Sequence, residues 1–113
     1  MEKMFVEKPF HSLIKKYGQA FDWEETNSDS FFAVLVSELY EGHPLYGKPC
    51  KVVARRFSQD DILCQLSDMT YAIVHLTYSK NNANGWPMFI SFQDLQSALK
   101  HIENEYVAEL LVE

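Results

Sequence analysis

The residues of this chain with chemistry to offer fall into two sets. The first holds His43, between Gly42 and Pro44, with Tyr46 close behind it, together with Arg55, His75 and Thr77. Imidazole, phenol, guanidinium and hydroxyl groups are those of a cleft that binds an anion or moves a proton. His43, Tyr46, Arg55, His75 and Thr77 therefore make a candidate ligand site. The second set is acidic and aromatic. Asp22, Glu24 and Glu25 surround Trp23, Asp60 and Asp61 stand together, and Tyr46 and Trp86 lie in loops beside prolines. Carboxylates next to loop aromatics suit recognition of a basic protein.

Each set also has a structural reading. The face of His75 carries Tyr71, Ile73 and Thr77, while Ala72, Val74 and Leu76 form the more apolar, core-facing side. His75 then sits on the outer face of a sheet, or against a second layer. Arg55 and Arg56 point to opposite faces of a strand, with Asp60, Asp61 and Asp68 as ion-pair partners. His11 and His101 fall on solvated helix faces. The histidines show no metal-ligand spacing. The phosphate-loop, zinc-helix, Cys-x-x-Cys and nucleophile-elbow signatures are absent. No catalytic residue, metal or cofactor is assigned, and the expectation is a protein that is not an enzyme.

The elements that must hold these residues follow from periodicity. Pro9 opens a helical pattern through Phe10, Leu13, Ile14 and Tyr17, which Gly18 stops. Residues 21–30 read as an acidic loop with Asn27, Ser28 and Asp29 as helix caps. A second helix covers Phe31 to Tyr40, and Gly42 ends it. Pro44 and Pro49 stiffen the loop His43–Pro49. Lys51–Phe57, Ile62–Leu66 and Tyr71–Ser79 read as strands joined by short connections, hence an antiparallel meander. Residues 80–85 form a polar loop, and Met88–Phe92 is a fourth strand. Asp94 or Ser91 then caps a helix with Leu95, Ala98, Leu99, Ile102 and Tyr106 as its stripe. The expectation is an α+β fold: a four-stranded antiparallel meander, N-terminal helices, and a C-terminal helix, with the helices on one face.

At 113 residues, 47% hydrophobic and 14% aromatic, the chain is expected to form a single domain over 1–113. A net charge of −6 argues against nucleic acid and anionic membranes, and it suits a basic partner. Cys50 and Cys64 are too few for a disulfide scaffold. The N-terminus has no apolar run of signal-peptide length, and no stretch approaches the roughly 18–20 apolar residues of a membrane span. The expected location is the cytoplasm, as a monomer or homodimer.

The motifs Gly42-His-Pro-Leu-Tyr-Gly47, Val52-Val-Ala-Arg-Arg56 and Ala72-Ile-Val-His-Leu-Thr77, with the run from Asp61 to Leu66, resemble a group of small bacterial proteins. That group shares a loop-plus-meander core, and the resemblance covers roughly residues 38–100. In size and charge the chain is also similar to immunity proteins of contact-dependent inhibition systems. That second resemblance implies a small cytoplasmic domain that neutralises a basic toxin domain, such as a nuclease, by direct binding. It carries no diagnostic motif, so it assigns no residue. The contacts expected for such a partner are Asp22, Trp23, Glu24, Glu25, Tyr46, Asp60, Asp61 and Trp86. The alternative is a small enzyme or ligand-binding protein using His43, Tyr46, Arg55 and His75.

Overall fold

Alternation along the strands sends apolar side chains to both faces of one sheet, and helices cover both. The computed structural model describes residues 10–18, 21–26, 29–79 and 86–112. The roles expected of Pro9, Asn27, Ser28 and residues 80–85 lie outside the described residues. In chain order the elements are α1 (His11–Tyr17), β1 (Trp23–Glu25), α2 (Asp29–Glu38), β2 (Cys50–Arg56), β3 (Asp61–Leu66), β4 (Tyr71–His75), β5 (Phe89–Phe92) and α3 (Leu95–Val112). The strands form one antiparallel sheet in the order β1-β2-β3-β4-β5. Every strand thus pairs with its sequence neighbour, as short connections require.

The strand expected over Tyr71–Ser79 ends at His75, and two features of the architecture differ from the expectation. The sheet has five strands, because Trp23–Glu25, read as loop, pairs with β2. Carboxylate side chains are poor strand formers, but Phe21 and Trp23 alternate with Asp22 and Glu24, and both aromatic rings are buried. The helices also lie on both faces rather than one. Phe10, Leu13 and Trp23 pack with Leu63, Tyr71, Ile73 and the α3 residues Ala98, Ile102 and Tyr106. On the other face, Leu35 of α2 and Leu45 of the following loop pack with Val52, Ile62, Cys64, Ala72, Val74 and Leu76. Tyr71 and Ile73 therefore face a second layer.

A β-bulge in β2 decides which arginine enters which layer. Val52 pairs with Cys64 but Ala54 pairs with Leu63, so Val53 is an extra residue. Such an insertion reverses the side-chain parity beyond it. Val52 thus faces α2, whereas Ala54 faces α3. Arg56 follows Ala54 to the α3 side, and Arg55 turns to α2, where its guanidinium lies 5.2 Å from the Phe31 ring centre.

The helices are secured at their ends. Gly18 closes α1 with φ +77°, a conformation glycine adopts freely, and its N–H donates to the Ile14 carbonyl. Asp94 caps α3 by accepting the Ser97 N–H at 2.8 Å. Glu103 of α3 accepts from Lys16 at 2.9 Å and from Tyr17 at 2.7 Å, which fastens α1 to α3. Hydrogen bonds from Lys16 and then Tyr17 hold the Glu103 carboxyl below the ordinary glutamate range.

Candidate functional site

The register places Trp23, Arg56, Asp61 and His75 in one row across β1, β2, β3 and β4. Directly opposed residues share a face, so this row runs along the α3 side of the sheet at one end. Arg56, 5% exposed, is its centre. Its Nε donates to Asp22 Oδ2 at 2.7 Å, and Nη2 donates to both Glu109 oxygens, at 2.9 and 2.8 Å. Its Nη1 lies 3.8 Å from Asp61 Oδ2. Burial works against the guanidinium charge, yet the hydrogen bonds it donates to Glu109 and Asp22 outweigh it and hold the group firmly protonated. Ser58 Oγ also donates to Asp22 Oδ2, and the Asp22 carbonyl accepts the Phe57 N–H.

Asp61 uses its other oxygen for His75, whose Nδ1 lies 2.7 Å from Oδ1. A carboxylate on Nδ1 fixes the ring and leaves Nε2 to accept a proton. The His75 side chain is 47% exposed, so this edge is open. The cavity beside Asp61 is about 50 Å³, bordered by Phe31, Arg55, Asp60 and Tyr78. That space suits a water or two rather than a substrate.

The five members of the expected ligand cleft are separated. His43 is buried: its Nδ1 accepts the Leu45 N–H at 3.0 Å, and Nε2 lies 2.9 Å from the Pro87 carbonyl. Those partners specify the Nε2–H tautomer, and the ring rests between Tyr40 and Phe89. Its position ties the stiff loop to the segment before β5. Thr77 donates from its N–H and its hydroxyl to Glu38 Oε1, at 2.8 and 2.9 Å. Arg55 is taken up by Phe31 and by Glu24 at 3.7 Å. Tyr46 lies elsewhere, on an apolar groove of about 420 Å³ between α2 and the stiff loop, with Phe32, Val36, Leu39 and Cys50.

The expected partner contacts divide by exposure. Asp22 and Trp23, expected at the surface, are buried and belong to the ion-pair network and the core. Glu25 accepts the Phe10 N–H at 2.5 Å and is half-buried. Asp61 is committed to Arg56 and His75. Glu24 and Asp60 are exposed, as are Tyr46 and Trp86. Sequence reasoning missed Glu109, which reaches this end from α3, and Glu38, a buried carboxylate. The signal for Glu109 was its position seven residues beyond Ile102, two turns along the same α3 face.

Among the described residues no group of His, Cys, Asp and Glu is arranged to hold a metal ion, and no helix is long and apolar enough to cross a membrane. No family model, curated protein or solved structure matches the chain.

Proposed function

We propose that this protein is a binding module that neutralises a basic protein, in the manner of a cytoplasmic immunity or antitoxin-like protein acting on a toxin domain such as a nuclease. The observation that carries this reading is the acidic end of the sheet. Asp22, Glu24, Asp60, Asp61 and Glu109 gather there around Arg55 and Arg56. Five carboxylates against two arginines leave this end about three negative charges in excess, and Glu24, Asp60 and the half-exposed Glu109 are its solvent-facing members. A partner that grips a phosphate backbone with Lys and Arg would meet a rigid set of carboxylates in its place. The net charge of −6 supports the same reading by favouring encounter with a cation. The test is co-expression with the neighbouring gene product, scored for growth and for complex formation. Wild type should protect, and a Glu24→Lys/Asp60→Lys variant should fold yet lose protection. Absence of protection by wild type would refute the reading.

The Asp61–His75 pair favours a second reading, a small ligand-binding protein or enzyme working at the His75 edge. His75→Ala separates the two, since it removes the oriented imidazole and leaves Glu24 and Asp60 in place. A variant that still protects belongs to the first reading.

A further inference from the structure

Cys50 and Cys64 belong to neighbouring antiparallel strands. Cys50 lies opposite Leu66, and Cys64 lies opposite Val52. The two cysteines therefore share the α2 face as a diagonal pair, and Cys50 packs against the cluster that contains Cys64. Their surroundings differ. Cys64 is 1% exposed in the core, whereas Cys50 is half-buried. Cys50 borders both the groove under Tyr46 and a shallower cavity with Lys51, Gln65 and Met69. Both thiols are free.

We propose that Cys50 and Cys64 form a peroxide-responsive dithiol, in which Cys50 reacts with the oxidant first and Cys64 resolves it to a disulfide within the chain. In the first step the Cys50 thiolate takes one oxygen from hydrogen peroxide, giving sulfenic acid and hydroxide, which takes up the proton lost by the thiol to become water. In the second step the Cys64 sulfur displaces that oxygen, forming the S–S bond and releasing a second water. Two thiols are oxidised and one peroxide is reduced.

The roles follow from the contacts. An oxidant reaches Cys50 from either cavity and has no such route to Cys64. The Cys64 thiol hydrogen-bonds to the Cys50 sulfur and draws the Cys50 pKa below the ordinary thiol value. The same bond, with burial, pushes the Cys64 thiol up; oxidation of Cys50 removes the thiolate that accepts that bond, and the Cys64 proton then leaves with the sulfenic oxygen as water. A thiolate is the reactive form, so the exposed member is also the nucleophilic one. Diagonal partners start about 7–8 Å apart at Cα, just beyond the usual disulfide range of ~4.4–6.8 Å. Cys50 is the first residue of β2, so forming the bond requires that strand end to move inward.

The test is mild hydrogen peroxide treatment of the folded chain, then denaturation, alkylation and mass spectrometry. The expected product is a monomer lighter by two hydrogens, with both thiols blocked together and restored by dithiothreitol. In Cys64→Ala, the sulfenic acid should persist at Cys50 and be trapped by dimedone. The proposal is overturned if both thiols of treated wild type remain alkylatable, or if only bonds between chains form. It is overturned equally if Cys64 oxidises as fast in Cys50→Ser as Cys50 does in Cys64→Ala. Wild type alone decides the first two outcomes, whatever the variants' stability.

Discussion

Asp22 accepts the Arg56 Nε–H at 2.7 Å, and the side chains are only 12% and 5% exposed. The pair joins the residue before β1 to the end of β2, and Glu109 extends it to α3. Two charges this far from water gain from each other only while both are present. Arg56→Leu would leave Asp22 buried without its counterion and should cost about 3–5 kcal/mol. Glu109→Ala removes a partner that is 55% exposed and should cost below about 1 kcal/mol. Urea unfolding of both variants measures the difference, and equal losses would mean that the buried Asp22–Arg56 pair does not dominate the network.

That relationship also marks what was legible in the sequence. Strand and helix patterning for β2 through α3 could be read from spacing, because those segments repeat apolar residues with a clear period. β1 could not, since it has three residues and two of them are Glu. Which arginine is buried was equally hidden, because the bulge at Val53 inverts parity without a glycine or proline to announce it. Asp22 and Trp23 looked like a surface pair for the same reason: their burial depends on a strand pairing that the local sequence does not advertise. His75 and Asp61 are 14 residues apart, and their contact needed the register of β3 on β4.

His43 holds two backbone groups, the Leu45 N–H and the Pro87 carbonyl. His43→Phe preserves a ring between Tyr40 and Phe89 but strips the Leu45 N–H and the Pro87 carbonyl of their bonds. Each buried group left unpaired costs about 1–3 kcal/mol. The variant should unfold at lower urea, with faster hydrogen exchange at Leu45. Wild-type stability would show that this imidazole does not anchor the loop.

Glu38 is 2% exposed and gathers the end of β4 by accepting from Thr77 and from the Tyr78 N–H at 2.7 Å. Tyr78 has φ +58°, so the chain turns sharply at this carboxylate. Glu38→Gln keeps the shape but turns one acceptor oxygen into a donor facing N–H groups. A loss of about 1–3 kcal/mol is expected, together with earlier amide exchange at Thr77 and Tyr78. Exchange that stays at the wild-type rate would assign the turn to other contacts.

Asp94 provides a pH test with a defined sign. Its carboxylate accepts the Ser97 N–H, and that backbone bond, followed by the Ser97 hydroxyl, lowers its pKa below the ordinary aspartate value. A carboxyl depressed by folding stabilises the native state above its unfolded pKa, and that contribution disappears as pH falls through the folded value. The window therefore opens below about pH 4, the ordinary aspartate range. Asp94→Asn keeps a cap oxygen but carries no charge for the helix N-terminus and no proton to take up. The variant should be less stable than wild type near neutral pH, and the gap should narrow at about pH 3, below the ordinary aspartate range. Urea unfolding at both pH values measures that gap. A gap that is the same at both would show that the cap owes nothing to the charge of Asp94.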